Sequence, residues 1–206
     1  KYENDWQILK IREKNKKKIF KIKLNLIGKV QIKNILMASL AAIKSGLDIN
    51  LVVKSIEKLR PVEGRLEEIG RLKNNSKVIL DYAHTPDALR IILENIKEQF
   101  PARKIRLLFG CGGERDKAKR SKMGKIASQF ADIIYLTDDN PRNENPKKIR
   151  NEIKRGLKGK NIKEIPSRKM AIKFCINDLN SGEIAIIAGK GHEKTQGYKE
   201  KKFFFS

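Results

Sequence analysis

Four short segments of this 206-residue chain gather the residue types that do chemistry. They are Asp81-Tyr82-Ala83-His84, Gly110-Cys111-Gly112-Gly113-Glu114-Arg115-Asp116-Lys117, Asp138-Asp139-Asn140-Pro141-Arg142 and Gly189-Lys190-Gly191-His192-Glu193, and together they hold both histidines of the sequence. Asp139 and Arg142 flank Asn140 and a stiffening Pro141. An acid beside an arginine can hold an ammonium and a carboxylate at once, as an amino-acid ligand requires, with the guanidinium binding bidentately. The same pair can equally close its own loop. The glycines at 110, 112 and 113 let backbone N–H groups approach an anion, with Arg115, Lys117, Lys119 and Arg120 adding charge. Alternatively they only supply positive φ to a tight strand-to-helix turn. Neither this loop nor Gly189-Lys190-Gly191 is a Walker A loop, because Gly-x4-Gly-Lys-Ser/Thr occurs nowhere. Asp81 and His84 can contact a ribose or a phosphate, or Asp81 can serve as a cap. Cys111 is either a thiol made reactive beside Arg115 or a small residue filling the turn. Cys175 shares a helix face with Ala171 and Phe174 and reads as core.

The elements that position these segments have a regular rhythm. Val78-Ile79-Leu80, Ile105-Arg106-Leu107-Leu108-Phe109, Ile133-Ile134-Tyr135-Leu136 and Glu183-Ile184-Ala185-Ile186-Ile187-Ala188 are short apolar strands, each ending where one of the four segments begins. A weaker strand spans Ile162 to Ile165. Helices alternate with them, opened by Thr85-Pro86-Asp87, Asn145-Pro146 and Ser167. The first buries Leu89, Ile92, Leu93, Ile96 and Phe100; the helix after the glycine turn carries Met123, Ile126, Ala127 and Phe130. Apolar strands alternating with helices imply a doubly wound α/β domain with a mostly parallel sheet. The carboxyl ends of such strands share one edge, so Asp81, Arg115, Arg142 and Glu193 are expected on one rim.

Upstream, Trp6 to Ile11 and Ile19 to Leu24 alternate as strands around a basic turn. Ile32, Ile35, Leu36, Ser39, Leu40 and Ile43 follow helical spacing, with Gly46 at the C-terminal cap. A second helix starts at Asp48 or Asn50 and buries Val52, Val53, Ile56 and Leu59. Pro61-Val62-Glu63-Gly64 breaks the pattern and marks a domain boundary.

The formal charge of +23 raises a nucleic-acid or anionic-membrane partner. The lysines are dispersed, however, and interleaved with Glu, Asp and Asn; only Lys14-Asn15-Lys16-Lys17-Lys18 is dense, and aromatics are not interleaved with the basic residues as stacking platforms require. A Lys-rich surface is the simpler reading, with a basic nucleic-acid-binding protein as the rival from another class. No apolar run approaches the ~20 residues of a membrane span. The first residues lack the layout of a signal peptide. Two cysteines are too few for a disulfide framework, which makes a reducing cytoplasm the expectation.

With Pro61-Val62-Glu63-Gly64-Arg65-Leu66-Glu67 added, the motifs occur in the order and approximate spacing of the Mur ligases, which the chain resembles from about Leu26 to its end. The likeness is greatest to the branch that adds meso-diaminopimelate. It implies that residues 1–60 are the tail of a central ATPase domain and residues 61–206 a Rossmann-like C-terminal domain, cut before its last helix at Phe203-Phe204-Phe205-Ser206. It further implies an ATP-dependent amide ligase of peptidoglycan synthesis. ATP and Mg2+ activate the D-glutamate carboxylate of UDP-N-acetylmuramoyl-dipeptide as an acyl phosphate, which the incoming amine attacks. By the same resemblance Arg115, Asp139, Asn140, Pro141, Arg142, Gly189 and Glu193 hold meso-diaminopimelate. Arg115 and Arg142 meet its carboxylates and Glu193 its distal ammonium, while Arg65 and Asp81, with His84 nearby, reach the nucleotide. No catalytic residue or metal ligand is expected within this chain, since the phosphate-gripping loop and the carbamylated lysine lie upstream in the family. The chain is therefore expected to be inactive alone, and the whole enzyme to be a cytoplasmic monomer without a specific nucleic-acid partner. A lysine-adding relative is the nearest alternative, and Arg142 discriminates, because lysine lacks the second carboxylate.

Overall fold

The computed structural model describes residues 2–3, 5–12, 19–72, 74–159, 161–199 and 201–204. The dense basic block Lys14-Asn15-Lys16-Lys17-Lys18, and Phe205-Ser206 at the chain end, lie outside the described residues. The elements run β1 (Tyr2–Glu3), β2 (Trp6–Arg12), β3 (Ile19–Leu24), α1 (Lys29–Lys44), α2 (Ile49–Ile56), β4 (Glu67–Arg71) and β5 (Lys77–Asp81). They continue α3 (Pro86–Gln99), β6 (Ile105–Phe109), α4 (Ala118–Phe130), β7 (Ile133–Leu136), α5 (Pro146–Lys154) and β8 (Asn161–Glu164). The last are α6 (Arg168–Asn177), β9 (Ile184–Ala188), β10 (Thr195–Tyr198) and β11 (Lys201–Phe204).

A six-stranded sheet in the order β4-β5-β9-β6-β7-β8 forms the centre. All its pairs are parallel except β4 with β5. On one face Leu89, Ile96, Met123 and Ile153 of α3, α4 and α5 pack on Ile79, Leu107, Ile134 and Ile186. On the other, Ala171 and Cys175 of α6 pack on Val78, Leu108, Tyr135 and Ala185. Coverage of both faces is why every residue of β6 and β9 is buried and why these strands read as unbroken apolar runs. The helix starts behave as their residue types dictate. Thr85, Asn145 and Ser167 each accept backbone N–H groups of the first turn, and Pro86 and Pro146 occupy positions where a missing N–H costs nothing.

The upstream strands form a separate antiparallel sheet, β1-β2-β3. Ile22, Leu24 and Leu26 pack there with Ile35 of α1 and Ile56 of α2. Asp48 caps α2 through the N–H groups of Asn50 and Leu51. The helix stops at Ile56, so Leu59, expected on its buried face, is 42% exposed. Met37 and Leu40 of α1 are likewise open, at 71% and 59%. Several ties join this part to the large sheet, those of Gln99 and Lys77 among them. Gln7 donates to the Leu26 and Gly28 carbonyls, and the Gln99 side chain accepts the Gly28 N–H. The fully buried Lys77 ammonium lies 3.0 Å from Asp5 and 2.7 Å from Glu68.

Candidate functional site

Because β5, β9, β6 and β7 run parallel, the loops that follow them share one edge, and Asp81, Arg115, Arg142 and Glu193 all stand there, as expected. The loops enclose a crevice of about 470 Å³. Arg115, Asp139, Asn140, Arg142, Gly189 and Glu193 line it, and so does His84. Pro141 is buried behind its loop.

The glycine turn works differently from either reading of its sequence. None of Gly110, Gly112 and Gly113 has a positive φ. A Cβ on Gly110 would stand 2.3 Å from the Thr137 carbonyl oxygen, and one on Gly113 only 1.9 Å from that of Pro141. These glycines let the loops after β6 and β7 touch backbone to backbone, sealed by a 2.8 Å hydrogen bond from Gly113 N–H to the Asn140 carbonyl. Arg120, expected to add charge at this turn, is fully buried instead. It donates to Glu144 and Glu152 at 2.7–2.9 Å and to the Gly112 carbonyl at 3.2 Å. The Arg120 hydrogen bonds hold the Glu144 carboxyl down to about 2. Cys111 is 3% exposed with Sγ 3.6 Å from Met123 Sδ, and burial pushes its thiol up to about 12, so it fills the turn and is not activated. Cys175 is core, likewise pushed up to about 12.

Asp139 and Arg142 do not pair with each other among the described residues. Arg142, at φ +52°, donates from Nη1 to the Gly113 carbonyl at 2.6 Å. Asp139 Oδ1 accepts its neighbour's N–H at 2.7 Å, while Oδ2 is buried with no hydrogen-bond partner among the described residues. The nearest cation to that oxygen is Arg168 at the start of α6, with Nη1 3.9 Å away. Arg168 is fully buried and donates from Nη2 to the Ala188 carbonyl at 2.9 Å. Glu193 Oε2 lies 3.0 Å from Lys190 Nζ and 3.3 Å from Asn140 Nδ2. Burial acts to raise the Glu193 carboxyl, but the Lys190 hydrogen bond and charge prevail and hold it below its usual value.

Sequence reasoning missed Arg168, Lys190 and the whole β10–β11 hairpin. The hairpin carries Gln196, which donates to the Asp138 and Asp139 carbonyls, and Gly197, which donates to Asn140 Oδ1 and accepts from Arg142 N–H. Tyr198 O–H donates to Asp138 at 3.1 Å. An arginine opening a helix and a lysine between two glycines gave no sign of burial, and Thr-Gln-Gly-Tyr lacks the apolar alternation that announces a strand.

The residues expected near a nucleotide divide. Arg65 and Asp81 line a second cleft of about 470 Å³ beside Val30, Leu66 and Ile91. His84 does not line it; its Nδ1 is 3.0 Å from the Tyr82 carbonyl oxygen. The Arg65 guanidinium lies 4.5 Å over the Tyr82 ring, which stacks on His192 at 5.8 Å. Both oxygens of Asp81 are occupied, Oδ1 by Ala83 N–H at 2.7 Å and Oδ2 by Leu66 N–H at 2.8 Å, and burial raises its carboxyl. That is the loop-capping role its sequence reading kept open. Among the described residues no group of three His, Cys, Asp or Glu could hold a metal, and no helix is long and apolar enough to cross a membrane.

The domain is an open α/β sheet whose carboxyl edge sets cations and carboxylates around a polar crevice. Residues 64–191 match the glutamate ligase domain of Mur ligases, and the chain belongs to the Mur ligase family. It is 45% identical over 91% of its length to a UDP-N-acetylmuramoyl-L-alanyl-D-glutamate–2,6-diaminopimelate ligase of Rickettsia typhi, and 44% identical over 88% to one of Buchnera aphidicola. It spans only 37% and 36% of those relatives. A solved 2,6-diaminopimelate ligase superposes with a TM-score of 0.69 at 36% identity, over 91% of this chain and 38% of that one. The UDP-N-acetylmuramate-alanine ligase of Thermotoga maritima, at 24% identity and a TM-score of 0.69, shares the fold.

Proposed function

We propose that this chain is the amino-acid-receiving part of an ATP-dependent ligase that joins meso-diaminopimelate to UDP-N-acetylmuramoyl-L-alanyl-D-glutamate in the cytoplasm. One observation carries the reading: Arg115, Arg142, Asp139 and Glu193 converge on a single crevice from three loops. Two guanidiniums suit two carboxylates, and two carboxylates suit two ammoniums, the charge pattern of a diamino diacid. Arg115 and Arg142 bind the carboxylates of the amino acid, Asp139 and Glu193 its ammoniums, and Asn140 and Gly189 complete the wall. The crevice's part in the reaction is to orient the amino acid, whose reacting amine attacks the acyl phosphate once it has given up its proton.

The division into residues 1–60, as the end of the ATPase domain, and 61–206, as the receiving domain, belongs to the same proposal. Arg65 suits a nucleotide phosphate, being exposed and propped over Tyr82. Asp81 fits a ribose poorly, because both of its oxygens are taken. Mg2+ finds no ligand set among the described residues, and no step of this proposal passes through it. The partners that follow are the UDP-linked dipeptide and the free amino acid; the whole enzyme is read as a monomer, without a specific nucleic-acid partner.

The test is calorimetry of the chain with meso-diaminopimelate and with L-lysine. Charge-assisted hydrogen bonds contribute ~1.5–3 kcal/mol. At ~1.4 kcal/mol per decade, diaminopimelate should bind roughly ten- to a hundredfold tighter than lysine, and Arg142→Ala should erase most of that margin. Equal affinity for the two amino acids in the wild type would favour a relative that adds another residue. No binding of either would refute the crevice as the receiving site.

A further inference from the structure

The crevice has a floor as well as walls, and the floor centres on a residue that the proposed function leaves idle. Lys190 follows the last residue of the Gly189 turn and is 1% exposed. A buried ammonium is costly unless each N–H is matched. Among the described residues three acceptors surround Nζ: Asn140 Oδ1 at 2.9 Å, Glu193 Oε2 at 3.0 Å and the Thr195 carbonyl at 2.8 Å. They come from the loop after β7, the loop after β9 and the start of β10. Asn140 Oδ1 also accepts Gly197 N–H at 2.8 Å, so the hairpin is drawn into the same knot. Both side-chain contacts of Glu193 fall on Oε2. Among the described residues Oε1 therefore has no hydrogen-bond partner, and Glu193 lines the crevice.

We propose that Lys190 is the positioning residue of the crevice: its ammonium fixes the Asn140 amide and clamps one oxygen of Glu193, so that the other meets the distal ammonium of the incoming amino acid. This rests on reading the crevice as the amino-acid site. Lys190 touches no ligand; it acts through Glu193 and Asn140. The arrangement has an electrostatic logic. A lone carboxylate in this half-buried position would swing toward solvent or take up a proton. Lys190 keeps it charged and in one rotamer, and with Arg168 beneath Asp139 it balances the two crevice carboxylates before any ligand arrives. A ligand ammonium then finds an ordered acceptor and need not order one on binding.

The test uses the full chain and Lys190→Met, which keeps the unbranched side chain up to the ε position and removes its charge. Carbon-detected NMR of the Glu193 carboxyl, assigned with Glu193→Gln, should show its titration moved to higher pH in Lys190→Met. An unchanged titration in a folded variant overturns the proposal whether or not any ligand binds. Among the described residues the groups facing Glu193 are Lys190, Asn140 and His192, with Arg168 behind. Calorimetry gives the second reading. Lys190→Met should weaken meso-diaminopimelate about tenfold or more, while 2-aminopimelate, which lacks the distal amine, changes little. Equal losses for both ligands would reduce Lys190 to a structural part and overturn the positioning claim. Wild-type chain that binds neither ligand defeats the amino-acid reading instead, and the carboxyl titration still decides the role of Lys190. Should Lys190→Met fail to fold, the wild type and Glu193→Gln suffice. The Lys190 ammonium protons should exchange slowly enough for nitrogen-detected NMR in the wild type and be lost in Glu193→Gln, and a signal unaltered by Glu193→Gln is the contrary result.

Discussion

At the scale of single residues, the site is built from charges that are already spoken for. Glu144 is an example: Arg120 depresses its carboxyl from the ordinary 4.5 to about 2. A depressed folded value means the stabilisation is complete above the unfolded value and disappears as pH falls through the folded one. The chain should therefore lose stability between about pH 4.5 and pH 2, and Glu144→Gln should flatten that part of a stability-against-pH curve measured by urea unfolding. The cysteines give a second expectation. With both thiols buried and pushed up to about 12, native chain at neutral pH should resist a thiol reagent such as DTNB, and denatured chain should react at both. Rapid labelling of native Cys111 would contradict its place as turn filler. What the sequence disclosed at this scale was the type and clustering of the crevice residues. It concealed their pairing, since nothing local distinguishes the buried Lys190 or Arg120 from the many lysines and arginines that face water.

Among the elements, legibility followed burial. Strands β6 and β9 are covered on both faces and announce themselves as apolar runs. Strand β4, Glu-Glu-Ile-Gly-Arg on the sheet edge, and the hairpin at Thr195–Tyr198 and Lys201–Phe204 are held by backbone pairing, which leaves little trace in side-chain pattern. The glycine turn was visible as a turn, but its reason was not, because that reason is a second loop far along the chain. A pair of substitutions separates the two uses of glycine. Gly182 has φ +74° with nothing within 4 Å of a built Cβ, so Gly182→Ala should cost only the backbone strain of about 1–2 kcal/mol. Gly113→Ala must push the Pro141 carbonyl aside from 1.9 Å and should cost more, while also loosening Arg142, which donates to the Gly113 carbonyl. Thermal melts of the two variants rank them, and a smaller loss for Gly113→Ala would mean the loops are not interlocked.

For the molecule as a whole, the upstream segment leaves several large apolar side chains without cover among the described residues. Met37, Leu40, Leu51 and Val62 are 71%, 59%, 57% and 68% exposed. Exposed apolar side chains of this kind favour association. Met37→Glu with Leu40→Glu should leave the melting temperature nearly unchanged and lower the apparent mass in light scattering at high concentration. An unfolded double variant would instead make those side chains part of the core. The formal charge of +23 acts at this scale too, but as a dispersed field that governs solubility and weak, salt-sensitive association, and it says nothing about the crevice.

The placement of β9 has a consequence for the order in which the fold can be made. Its residues are the last of the parallel sheet to be synthesised, yet it lies between β5 and β6, the first two parallel strands, with Ile184 beside both Lys77 and Ile105. Until Ala188 leaves the ribosome, those two strands have no common neighbour and each presents an unpaired apolar edge. Closure of the sheet waits on contacts between distant parts of the chain, which are slow to form and leave the nascent protein open to mispairing. The same final strand delivers Gly189, Lys190 and Glu193, so the crevice is completed in the act that closes the core.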